Sequence, residues 1–68
     1  MEKEQLKAAI AYAGTTSAAV AEALGVSRQN FTQRANRASW TGADLERIAQ
    51  ALGAEYISVF RFPDGKEI

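Results

Sequence analysis

Only three residues, Gly25-Val26-Ser27, lie between two segments that each carry the marks of a short helix, and no other feature limits the fold so tightly. Thr16 is a good N-cap for a helix over about residues 17–24 that buries Val20, Ala21 and Leu24. Gly25 ends it, because glycine takes the left-handed conformation at a helix end without steric cost. Ser27 then caps a second helix running from Arg28 to about Asn36, with Phe31 and Ala35 on its inner face. Two short helices joined this tightly pack at a steep angle. Ala21 is small where they would cross, while Val20, Leu24, Val26 and Phe31 fill the wedge between them.

The flanks supply the rest of a small bundle. In residues 3–13, Leu6, Ala9, Ile10 and Ala13 recur at i, i+3, i+4 and i+7 before Gly14, which predicts an amphipathic first helix. Thr41-Gly42-Ala43-Asp44 reads as a capping box with Asp in the place of Glu. It opens a helix over about 42–52 in which Leu45, Ile48, Ala49 and Leu52 share a face, and Gly53 closes it. The stretch from Tyr56 to Phe62 is rich in β-branched and aromatic residues and predicts a strand. Pro63-Asp64-Gly65 is a turn, and Lys66-Glu67-Ile68 a short return strand. The expected architecture is one mostly α domain over residues 1–68: four helices followed by a β-hairpin at about 55–68.

Composition closes several chemical routes. The chain has no cysteine and no histidine, so disulfides, thiolate or imidazole metal sites and His-dependent nucleophiles cannot be built. No pair of carboxylates has a general-base context; no catalytic residue, metal, cofactor or small-molecule ligand is expected. No apolar stretch approaches the length of a membrane span and no signal peptide opens the chain, so the expectation is a cytoplasmic protein without a membrane partner. Of the 47% apolar residues, fourteen are alanines, which leaves a thin set of large side chains for the core. An unstapled chain of this size supplies only about 3–5 kcal/mol from its core, so oligomerisation is an open route to further burial. The net charge is zero, yet every charge between Ala23 and Ala43 is positive: Arg28, Arg34 and Arg37. A local basic patch on an otherwise acidic body orients a domain on an anion.

Ala21, Gly25, Val26-Ser27 and the large apolar Phe31 fall where the helix-turn-helix of the phage Cro/repressor (XRE-type) family expects them. With the first and fourth helices matching that family's surrounding bundle, the resemblance covers about residues 3–53. It implies the four-helix lambda-repressor-like fold and a transcriptional regulator, a Cro-like repressor with phage-like or bacterial relatives, acting on double-stranded DNA in a bacterial cell or phage-infected host. The chain departs from the family in three respects. Ser17 stands where relatives often have a phosphate-binding Gln, Arg34 occupies a late apolar position so that Ala35 must replace it in the core, and the whole chain is neutral.

The second helix of the pair has physical features of its own that fit base reading. A cation in the first turn, as at Arg28, is disfavoured by the helix dipole by about 0.3–1 kcal/mol at low ionic strength. That cost makes sense where the guanidinium serves a partner such as guanine O6 and N7, read bidentately. Gln29 has the amide geometry for adenine N6 and N7. Thr32 and Gln33 follow one turn later on the same outward face, in reach of a base edge or a phosphate. Thr16 and Ser17 offer a hydroxyl and backbone amides at a helix N-terminus for a phosphate. Arg34, Asn36 and Arg37 are placed to track the backbone on the other side. Thr16 and Ser17 also serve as ordinary capping residues, and Arg28 and Gln29 also suit a plain solvated helix face.

Alternation puts Tyr56, Phe60 and Phe62 on one side of the predicted strand and Ile57 and Val59 on the other, both apolar. A hairpin on a four-helix body buries one face, so the surplus face and open edge invite a second copy. The expectation is an isologous homodimer through these five residues, presenting two recognition helices to half-sites about 34–36 Å apart on a pseudo-palindromic operator. Two alternatives stand beside it: the hairpin folds back on the first and fourth helices, or the scaffold is a protein-interaction module, an adaptor or antitoxin-like chain, since the fold does not dictate a DNA function.

Overall fold

Local capping chemistry sets the start of every helix but the first. In a computed structural model describing residues 2–68, the elements run α1 (Lys3–Tyr12), α2 (Ser17–Leu24), α3 (Arg28–Arg37), α4 (Gly42–Ala51), β1 (Glu55–Tyr56) and β2 (Phe60–Arg61). The Thr16 hydroxyl oxygen accepts from the Ala19 N–H at 3.2 Å, and the Ser27 hydroxyl oxygen from the Asn30 N–H at 3.0 Å. At α4 the capping box is complete: the Asp44 N–H donates to the Thr41 hydroxyl at 3.1 Å, and the Thr41 N–H donates to the Asp44 carboxylate at 3.2 Å. Each cap satisfies an amide that the helix cannot pair internally.

The turn between α2 and α3 follows from Gly25, whose φ of 74° is left-handed. That conformation lets the Val26 N–H fold back to the Ala21 carbonyl at 3.0 Å, closing α2 and leaving one residue before the next cap. Below the turn, Val20, Ala21 and Leu24 of α2 and Phe31 of α3 join Leu6, Ala9 and Ile10 of α1 and Leu45, Ile48 and Ala49 of α4 in one core. Phe31 is the one fully buried residue of α3; Ala35 is half-buried beside it, as required by the charge at position 34.

The C-terminal region departs from its predicted form. Residues 56–62 are not one strand: β1 and β2 pair antiparallel, Tyr56 opposite Phe60 and Glu55 opposite Arg61, with Ile57-Ser58-Val59 as the connection. The reversal has a packing reason. It brings the Tyr56 ring edge-on to Phe60, centroids 5.2 Å apart, while Phe60 and Phe62 both enter the core. The turn expected at Pro63-Asp64-Gly65 is present, with Gly65 at φ 90°. Phe60 and Ile68 exchange backbone bonds of 2.8 and 2.9 Å, and the Phe62 N–H donates to the Lys66 carbonyl at 2.9 Å, so 60–62 lies between two neighbours. The region folds back onto the helices, against α4 through β1 and against α1 through Tyr12, whose ring meets Phe62 at 4.8 Å and whose hydroxyl bonds the Asp64 carboxylate.

That fold-back corrects the assignment of Phe60 and Phe62 to a contact between copies. They are 0% and 6% exposed within a single chain and belong to its own core. Tyr56 and Val59 are half-buried; Ile57, at the tip of the connection, is 50% exposed and is the open apolar residue of this region. Among the described residues no helix is long and apolar enough to cross a membrane.

Candidate nucleic-acid interface

The two ends of α3 are set by Ser27 and Ala38, and its one buried anchor, Phe31, fixes which way the remaining side chains face. At 100° per residue, Gln29 and Gln33 lie opposite Phe31, with Arg28, Thr32 and Asn36 along one flank and Arg37 at the far end. All six are exposed. Arg28 and Arg37 have no ion-pair partner among the described residues. The helix thus presents an uninterrupted polar and cationic surface, made of amide, hydroxyl and guanidinium groups, with no carboxylate on it.

Thr16 and Ser17 stand at the start of α2. The Thr16 hydroxyl is exposed and occupied as an acceptor by its cap bond, which leaves its proton available to donate. Ser17 is half-buried and borders a groove between α1 and α3.

Arg34 is the predicted contact that the structure places elsewhere. Its guanidinium pairs with Asp44 of α4 and lies 4.8 Å from the centroid of the Trp40 ring, and its side chain is 29% exposed. Trp40 in turn packs on Phe31, ring centroids 5.2 Å apart. The Thr41 backbone N–H, the Thr41 side chain and the nearby Arg34 charge together hold the Asp44 carboxyl below its ordinary range, against the opposing effect of desolvation. Arg34 is therefore a bracket between α3 and α4, while Asn36 and Arg37 stay exposed.

Three further cations carry no signal in the sequence: Arg47 at the end of α2, and Lys3 and Lys7 beside α3. Arg47 of α4 donates to the Leu24 carbonyl at 2.6 Å, at the C-terminus of α2 where the helix carries its partial negative charge. This bond holds the residue just before the turn. Lys3 and Lys7 of α1 border the same groove as Ser17, across from Thr32 and Asn36. A helix-period count assigns both lysines to the solvent side of α1, but nothing local says that α3 stands beside them.

The fold and this surface define a class: a small four-helix domain that presents one polar, cationic helix through a tight glycine turn. Comparison with known proteins adds nothing to that description, since no family model matches the chain and neither a curated protein nor a solved structure is significantly similar to it.

Proposed function

We propose that the chain is a sequence-specific double-stranded DNA-binding regulator of the helix-turn-helix type, a Cro-like repressor that binds a pseudo-palindromic operator as a homodimer. The observation that carries the reading is α3 itself: a short helix set off by Gly25-Val26-Ser27, with Arg28, Gln29, Thr32 and Gln33 all exposed and no acid among them. Those residue types supply the bidentate and hydroxyl hydrogen bonds by which base edges are read in a major groove. Thr16, Ser17, Asn36 and Arg37 flank them as phosphate contacts that fix register.

Selection from a random duplex pool tests the reading, with binding of the enriched sequence followed at about 50 and 200 mM salt. The expected outcome is one pseudo-palindromic site and a steep loss of affinity with salt. Replacing Arg28 and Gln29 by Ala should cost about 1–3 kcal/mol at each base pair they read, without moving the thermal melt, because both side chains are exposed. Failure to enrich any site, together with no salt dependence, overturns the proposal.

Zero net charge favours a second reading, a protein-interaction module on the same scaffold. An adaptor keeps its partner when Arg28 and Gln29 are replaced; a regulator loses its operator.

A further inference from the structure

Lys3 and Lys7 stand one turn apart on the exposed side of α1, where two like charges repel each other at a cost to the helix. Neither is part of an ion pair among the described residues. Together they border a groove of about 220 Å³ whose other walls are Ser17 of α2 and Thr32 and Asn36 of α3, over the buried ring of Phe31. No acid lines it. A groove with two ammonium groups, two hydroxyls, one amide and an apolar base suits a ligand that is anionic at one end and apolar at the other. A phosphodiester with its attached deoxyribose has that character: phosphate oxygens take the donors, and the sugar lies against the half-buried Ala35 methyl.

We infer that this groove seats the sugar–phosphate backbone beside the bases read by α3, so that α1 contributes two phosphate contacts, one from each lysine. The inference rests on the DNA-binding reading and extends it to a helix outside the helix-turn-helix. Thr32 and Asn36 belong to both surfaces, which makes the groove continuous with the face of α3. The two lysines thereby set how far along the duplex the domain reaches, and they do so without regard to sequence.

The test compares salt dependence rather than affinity at one condition. Each phosphate neutralised contributes about 0.9 to the slope of log K against log salt. The double variant Lys3→Gln and Lys7→Gln removes four such contacts from a homodimer on its operator, so it should lower the slope by about 3.6, and the affinity lost between about 50 and 200 mM salt should shrink roughly a hundred-fold. Discrimination between the selected site and a scrambled duplex should stay as it is. Lys66→Gln, a charge removed from the C-terminal turn, should leave the slope where it was; thermal melts verify that each variant is folded. An unchanged slope in the α1 variant, while the wild type binds duplex and Arg28→Ala weakens it, overturns the groove assignment and leaves the regulator intact. An equal fall with Lys66→Gln overturns it too, since the effect is then one of net charge. If the wild type binds neither duplex, the regulator reading fails and this inference fails with it.

Discussion

Ala38 is the one non-glycine residue with a positive φ among those described, at φ 52° and ψ 34°, where it closes α3. The left-handed conformation sets its β-carbon against the following carbonyl, at a cost of roughly 1–2 kcal/mol that glycine does not bear. Glycine returns part of that gain through its larger unfolded-state entropy, so Ala38→Gly should stabilise the domain by about 1 kcal/mol. In a chain of this size the thermal midpoint should rise by about 4–8 °C, and a melt with unchanged or lower midpoint would refute the strain argument. The residue scale also separates the three arginines of the basic window. Arg28 and Arg37 are exposed and unpaired among the described residues, whereas Arg34 is held by Asp44 and Trp40. Sequence alone assigns Arg34 and Arg37 the same backbone-tracking role; only their neighbours differ.

Between elements, the decisive link is Asp44, which caps α4 and at the same time holds Arg34 of α3. Its folded pKa lies below the ordinary carboxylate value, so its stabilising effect is fully present above the unfolded value of about 4 and is lost as pH falls through the lower folded value. Asp64, held by the Tyr12 hydroxyl and the Lys66 N–H, shifts in the same direction and adds to the same acid window. Asp44→Asn should lower stability at neutral pH and flatten the acid limb of a stability–pH profile measured by urea unfolding. A limb as steep as in the wild type would show that the carboxylate is not coupled to folding. The caps at Thr16, Ser27 and Thr41 were legible in the sequence because each spans three residues and depends on nothing distant. The break inside residues 56–62 was not, because alternation describes a strand's two faces and is silent on where the core requires a reversal. The same holds for the interface. The outward set on α3 follows from helical period, but Arg47 reaches Leu24 across 23 positions, and Lys3 and Lys7 join the surface only because α1 packs beside α3.

At the scale of the whole molecule, the hairpin's two phenylalanines are committed to the chain's own core, which narrows what a second copy could meet. Ile57 at the tip and the outer edge of β1 remain, and we propose these as the dimer contact, with Tyr56 and Val59 at its margin. A contact centred on so few residues is weak by area, and two half-sites on one duplex raise the effective concentration of the second copy. Ile57→Lys should therefore abolish the dimer in light scattering and reduce operator affinity, while the melt of the monomer stays within about 0.5 kcal/mol of the wild type, as for other exposed positions. A wild-type chain that stays monomeric at micromolar concentration, with and without duplex, would remove the dimer from the proposal.

The packing of Trp40 on Phe31 and beneath Arg34 has an optical consequence. The single indole of the chain touches the helix proposed to enter the groove, from the side turned away from it. Its fluorescence is thus an intrinsic gauge of how α3 sits on the body, and a titration with duplex can be followed by emission without attaching a dye to any residue that would meet the DNA.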